Sequence, residues 1–242
     1  MFKKFLEKFP KTYKLGVSIS FISDIKMKTY SLKNVSKIYS FYGKSPVLYK
    51  ISNYMAFFGK EDFLRKKAVD MLNLREGGKV LDLACGMGGN FYYLLSKIGT
   101  EGIIMGVDYT EDMLNSAKKN VDKKCWKNVR LIKKDAAKLD FPKNYFDGVI
   151  STIGISAIHN HREALKRSVY SLKNGKRMVI LDGKLFNGFY KILNPFMDCI
   201  RFSASWDKSK DIISDAKRFL KDVSAEEFLG GSIFILSGVK KR

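Results

Sequence analysis

Positions 79–90 read KVLDLACGMGGN, and this stretch constrains the chain more than any other. The apolar run over 80–84 suits a strand buried on both faces. Gly86, Gly88 and Gly89 end it, and a helical pattern resumes at Asn90. A strand, a glycine turn and a helix in that order let backbone approach a ligand closely. The first turn of the helix adds unpaired N–H groups.

The residues of the turn separate the ligand classes that use it. A Walker loop needs a Lys followed by Ser or Thr, and neither stands here. A dinucleotide fingerprint counted from Gly86 needs a third glycine where Phe91 stands. Asp82 precedes Gly86 by four residues, and its charge opposes a pyrophosphate. The same charge suits S-adenosylmethionine, which carries an ammonium and a sulfonium. Asp108, at the end of the next strand, is placed to accept hydrogen bonds from a ribose diol. The plain alternative is an ordinary βα turn with two solvent-facing acids.

Around the turn, apolar runs alternate with helical patterns. Strands are expected over 80–84, 102–107, 129–133, 146–152 and 177–181, and helices over 61–73, 90–98, 110–120 and 162–172. Thr110 is the expected N-cap of its helix, and the fourth helix is expected to stop at Asn174 and Gly175. This order implies a parallel sheet with helices on both faces. The tail differs, with a helix over 210–220 and then strands over 223–228 and 233–239 around Gly230 and Gly231, a hairpin. Before the core, helices are expected over 34–42 and 46–58, both rich in Tyr and Phe. Residues 15–22 read as a short strand or an irregular apolar segment. Phe2, Phe5, Leu6 and Phe9 share one face of a short helix that Pro10 ends. The division expected is a helical extension or lid over 1–60 and a main domain over 61–242.

Composition sets the outer limits. No apolar run is long enough to span a bilayer, and no apolar stretch follows the basic N-terminus as a signal peptide requires. Cys85, Cys125 and Cys199 are dispersed and odd in number, so neither a disulfide framework nor a metal site is expected, and the expected setting is the reducing cytoplasm. The net charge is +21. Residues 1–79 carry 17 Lys and Arg against 6 Asp and Glu, so the excess lies ahead of the glycine turn. A basic lobe favours a polyanionic neighbour, and a solvated lysine-rich surface explains it equally well.

These motifs resemble the class I S-adenosylmethionine-dependent methyltransferases. Residues 80–89 look like the family's first motif, 106–114 its acidic loop, 134–141 its adenine-contacting segment and 145–151 its fourth strand. The resemblance covers about residues 61–242. It implies a Rossmann-like, mainly parallel seven-stranded α/β sheet with an antiparallel C-terminal hairpin strand. It further implies Asp82, Ala84, Gly86 and Gly88 around the methionine part of the cofactor, Asp108 on the ribose, and Tyr109 or Met113 near the adenine. Asp135 would receive the adenine amino group beside the Ala136 amide, and Ser151 would lie at the mouth of the cleft. Read from the residues alone, Met113 serves equally as core and Asp135 equally as a helix cap. Residues 42–72 are similar to the lead-in of the ubiquinone/menaquinone C-methyltransferases and of lipid N-methyltransferases.

Methyl transfer is an in-line displacement, so alignment supplies much of the rate and a base is needed only if the acceptor must lose a proton. His161 and His159, after the fourth strand, are the candidate bases; an ordinary loop histidine is the competing reading. Asn194 and Pro195 read as a turn, and Cys85 and Cys125 as structural. The acceptor expected is a small or lipid-like molecule, with peripheral contact to an anionic membrane through residues 1–9. The alternatives are an RNA or protein methyltransferase and a non-catalytic partner-binding subunit. No RNA-binding module is recognisable.

Overall fold

The strand ahead of the glycine turn is the centre of the molecule. The computed structural model describes residues 31–194, 207 and 209–241. In it β1 (Lys79–Leu83) lies between β2 (Ile103–Asp108) and β4 (Phe146–Thr152), parallel to both. Beyond β2 runs β3 (Val129–Lys133), and beyond β4 runs β5 (Leu172–Gly183). The tail forms β6 (Leu220–Phe228) and β7 (Ile233–Lys240); β7 inserts antiparallel between β5 and β6, giving the order β3-β2-β1-β4-β5-β7-β6. The seven-stranded sheet with a terminal hairpin is the architecture the motifs imply. Strand order reverses beside β1, and a sheet of this kind opens a crevice at the carboxyl ends of the strands there.

Alternation along each strand feeds two cores. Val80, Ile104, Ile150, Val179, Leu181, Ile233 and Ile235 face one side. They meet Leu64, Ala68 and Val69 of α3 (Glu61–Asp70) and Phe91, Leu94 and Ile98 of α4 (Phe91–Ile98). Leu81, Leu83, Val107, Val149, Met178, Ile180, Phe234 and Leu236 face the other. There they meet Ala164 and Leu165 of α6 (His161–Ser171) and Ile212 of α7 (Ile212–Lys217). Helix α5 (Glu111–Lys123) joins β2 to β3.

Two further helices, α1 (Leu32–Lys44) and α2 (Pro46–Ala56), belong to the same compact unit, Ser31–Arg242. Ser31 caps α1 by accepting from the Asn34 amide. Gly43 lets α1 close on α5: a Cβ there would stand 2.5 Å from the Asp112 carbonyl carbon, and Ser116 donates to the Gly43 carbonyl at 2.8 Å.

Several expected boundaries move. Helix α6 stops at Ser171, not at Asn174, because Leu172 is buried and already pairs with Phe146. Gly175 (φ +74°) makes an exposed bend inside β5. Helix α7 is shorter than 210–220, since Leu220 is paired with Lys240 in the sheet. Thr110 holds the N-cap position of α5 without a side-chain cap; its amide instead donates to Asp108. The segments expected over 1–9 and 15–22, with Pro195 and Cys199, lie outside the described residues. Among the described residues no helix is long and apolar enough to cross a membrane.

Candidate active site

After Leu83 the chain turns sharply, with Ala84 (φ +54°), Gly86 (φ +54°) and Gly88 (φ +82°) in the left-handed region. At Gly88 a Cβ would collide with the Phe91 ring, so packing beneath the turn demands glycine. At Gly86 the reason is different. A Cβ there meets nothing nearer than the Tyr49 hydroxyl at 4.0 Å, and the bare backbone faces open space.

That space comprises two cavities. The inner one is walled by Asp108, Tyr109, Thr110 and Met113 after β2, and by Lys134, Asp135 and Ala136 after β3. Ile153, Gly154, Ile158 and His159 after β4 close it, with Leu32, Val35 and Tyr39 of α1. The outer one lies between the glycine turn, α2, α3 and α5, and includes Asn53, Glu61, Arg65, Asn120 and Thr152. Tyr49, Ala84 and Gly86 border both. Burial pushes the Tyr49 phenol above its ordinary value, so it stays protonated.

Asp108 holds the two strand ends together. Its Oδ2 accepts from the Gly86 amide at 2.8 Å and its Oδ1 from the Thr110 amide at 2.8 Å. Burial raises its pKa, and those amides pull the other way. Asp135 accepts from the Ala137 amide at 2.9 Å, so it caps the short 3-10 turn Ala136–Lys138 while also lining the inner cavity. Met113 is likewise both: it is 1% exposed, yet it forms part of the wall.

Asp82 is fully buried and lies beneath the turn, not at a solvent-facing strand end. Its Oδ1 accepts from Asn90 at 2.9 Å, and its Oδ2 has no hydrogen-bond partner. Asn90 in turn accepts from Arg65 at 2.9 Å and from Thr152 at 3.1 Å. Arg65 also donates to Thr152, and its Nε and Nη2 reach Glu61 at 2.8 and 2.7 Å. Asn53 donates to Glu61 at 3.1 Å. Burial lifts the Asp82 carboxyl to about 7, against Asn90 and the Arg65 charge, which lower it.

Two sequence-level placements change. Ser151 is not at the mouth of the cleft; it is completely buried, its Oγ lacks a partner, and it lines neither cavity. The neighbouring Thr152, itself buried, is the one that lines the outer cavity, because alternation along β4 and the hydrogen bond from Arg65 turn it that way. The two histidines separate. His159 lines the inner cavity, whereas His161 begins α6 and its Nε2 sits 2.8 Å from Asp215. Arg162 holds the other Asp215 oxygen at 2.9 Å. Burial lowers the His161 pKa, with Asp215 opposing, and its bond to α7 marks it as a packing residue. Arg65, Asn90 and Tyr49 escaped the sequence reading. One signal was present: Arg65 shares a helical face with Leu64, Ala68 and Val69, an arginine in an apolar stripe.

A model of the ubiE/COQ5 methyltransferase family matches residues 27–231. The chain belongs to this family. It is an S-adenosylmethionine-dependent methyltransferase. The demethylmenaquinone methyltransferase of Listeria welshimeri is 26% identical over 168 residues, which is 66% of this chain and 71% of the relative. The ubiquinone/menaquinone biosynthesis C-methyltransferase of Francisella philomiragia is 28% identical over 172 residues, 71% and 68% of the two chains. Among solved structures, an S-adenosylmethionine-dependent methyltransferase of Aquifex aeolicus shares the fold with a TM-score of 0.54 at 21% identity, over 73% of this chain and 89% of its own. So does a Haemonchus contortus phosphoethanolamine N-methyltransferase complex with S-adenosylhomocysteine, with a TM-score of 0.61 at 18% identity, over 73% and 52%.

The residues of this family member fit the cofactor. Gly86 leaves a cradle that a Cβ would fill, and a buried carboxylate oxygen lacks a partner beneath it. Asp82 lines neither cavity, so its charge is expected to act on a bound cationic amino acid across the turn, without direct contact. The pH dependence follows. Asp82 is raised to about 7 from 3.8, so the stability its proton contributes is complete below about pH 4 and lost as pH rises through about 7. Affinity for the cationic cofactor is expected to run the opposite way and to strengthen as Asp82 ionises, with pH rising through about 7. Asp82→Asn is expected to flatten that slope and to weaken binding at pH 7.5 about tenfold. Calorimetric titrations across pH decide it; an undiminished slope in the Asn variant removes Asp82 from the account.

Proposed function

We propose that this methyltransferase carries a methyl group to a ring carbon of a reduced quinone or a similar lipophilic phenol. The observation that carries the reading is the wall of the inner cavity beyond Gly86. Leu32, Val35, Ile153 and Ile158 present an apolar slot with Tyr39 and His159 beside them, in a cavity whose remaining lining includes Asp108, Lys134 and Asp135. Such a slot suits a flat aromatic acceptor better than a charged amine or a nucleic acid strand. The names of the quinone-methylating relatives support the same acceptor class.

When bound, S-adenosylmethionine supplies an activated methyl group on a sulfonium. The chain's own residues supply alignment and proton handling. Asp108, with Tyr109 and Met113, holds the nucleoside end, and Asp135 with the Ala136 amide reads the adenine. Gly86 and Ala84 give close backbone approach, while Asp82 and Arg65 set the field beneath the amino-acid end. Helices α1 and α2 act as a lid that excludes water. A phenol ring carbon becomes a good nucleophile once its hydroxyl gives up a proton; His159 is the proposed acceptor of that proton, and loss of the proton from the methylated ring carbon, with reprotonation of the oxygen, restores the aromatic phenol. Residues 1–9, whose sequence spaces Phe2, Phe5, Leu6 and Phe9 at helical intervals among Lys3, Lys4, Glu7 and Lys8, are proposed to touch an anionic membrane surface.

The test offers labelled cofactor to the enzyme with a short-chain reduced demethylated naphthoquinone, with phosphoethanolamine and with total RNA. Label is expected in the solvent-extractable quinone, and His159→Ala is expected to lower kcat about a hundredfold with cofactor affinity kept. Label in the amine or the RNA, with none in the quinone, overturns the acceptor assignment.

A further inference from the structure

Helix α2 has two faces with different fates. Its inner residues Tyr49 and Asn53 border the cavities. On the outer side Val47, Ile51 and Tyr54 recur at i, i+4 and i+7, and they are 63%, 43% and 67% exposed. Phe58, just past the helix end, extends the stripe at 54% exposed. Its backbone is left-handed (φ +48°), a costly conformation for a bulky residue, and it is followed by Gly59 at φ +74°. The left-handed turn closes the helix end, with the Gly59 amide donating to the Tyr54 carbonyl at 2.8 Å, and it leaves the Phe58 ring among the exposed apolar side chains.

Charge decides what covers the stripe. Residues 25–60 contain seven lysines and no Asp or Glu. Lys44, Lys50 and Lys60 are exposed on and around α2. A second copy meeting this face across a twofold axis would set the same lysines against each other. Residues 1–30, with seven Lys against Glu7 and Asp24, carry the same sign. An anionic surface that also accepts apolar side chains matches both features, and an anionic lipid leaflet is such a surface.

We propose that the outer face of α2, from Val47 to Phe58, is a docking face for an anionic lipid bilayer. Val47, Ile51, Tyr54 and Phe58 enter the interfacial region and the lysines lie at the headgroups. Lys50 and Tyr54 also line the outer cavity, so docking sets the rim of that cavity against the lipid. An acceptor dissolved in the bilayer then reaches the cleft without crossing water. That last consequence rests on the lipophilic acceptor; vesicle binding itself does not.

The experiment is co-sedimentation of the full chain with sucrose-loaded vesicles of phosphatidylcholine, alone or mixed with phosphatidylglycerol. Binding to the mixed vesicles is expected, weakened by salt. Ile51→Glu is expected to lower the partition coefficient about tenfold, since it removes apolar area and adds a repelled charge. Phe58→Gly is expected to lower it too while keeping or raising the thermal midpoint, because glycine relieves the left-handed backbone. Equal binding to neutral vesicles, or unchanged binding by both variants, overturns the proposal. So does loss of binding in Phe5→Ser/Phe9→Ser with Ile51→Glu unaffected, or an Ile51-dependent dimer in gel filtration. Methyl transfer to a water-soluble short-chain quinol reports separately on the acceptor: its absence in the unaltered enzyme sinks that reading and leaves the docking face standing.

Discussion

Asp108→Ala is expected to lower affinity for S-adenosylmethionine by about a hundredfold or more. Two amide hydrogen bonds to one carboxylate are lost, each worth about 1.5–3 kcal/mol when the acceptor is charged. These bonds tie the Gly86 amide to the Thr110 amide, so their loss frees the glycine turn from the end of β2. The proposed ribose ligand goes with them. Asp108→Asn is expected to be nearly as damaging. Its amide keeps one acceptor oxygen but turns an NH2 group toward a backbone N–H, and two donors then face each other. Calorimetry on the folded variants measures both; retention of tight binding by the Ala variant removes Asp108 from the site. Near-native binding by the Asn variant instead shows that one acceptor suffices.

The second large effect is on stability. Arg65→Met is expected to cost about 3 kcal/mol, because buried Asn90 and Thr152 and the partly exposed Glu61 all lose a donor. In a domain of this size that lowers the thermal midpoint by roughly 10 °C. The reason lies in the number of groups one guanidinium serves. Glu61, Asn90 and Thr152 all accept from it, and its charge also steadies Asp82. A lysine cannot replace the fork, because one ammonium cannot reach three acceptors on separate elements. Glu61→Leu/Arg65→Met is expected to recover much of the loss, since an apolar pair carries no desolvation penalty. Urea unfolding of the three variants tests this. A double variant no more stable than Arg65→Met shows that the cost is lost packing, not an orphaned charge.

The candidate site was legible in the sequence wherever a residue's role follows from its place relative to a strand end. Gly86, Asp108, Tyr109, Asp135 and Ala136 all stand within three residues of the carboxyl end of a strand, and one crevice collects those ends. Ser151 and Thr152 show the limit. Adjacent residues on a strand point to opposite faces, and apolar pattern alone did not say which of the two faced the cleft. His159 and His161 show another. Both follow β4, but one turn of chain set the first in the cavity wall and the second against Asp215. No local signal tells a loop position from the first position of a helix that packs on a later helix.

The strand–turn–helix at residues 79–90 and the alternation that follows were enough to determine a parallel sheet, its hairpin end and a cofactor turn hostile to phosphate. These are local properties: apolar run length, glycine placement and the sign of one charge. Only the tertiary structure decided that Asp82 is buried and bonded to Asn90. It also decided that Arg65 is a buried hub and that α2 presents an apolar face outward. Those facts depend on which surfaces meet across long separations in sequence, and burial of that kind is a property of packing. The glycine turn at 79–90, read with Asp82 and Asp108, therefore points to the methyl donor, while the helices packed over it shape the cavities beside it.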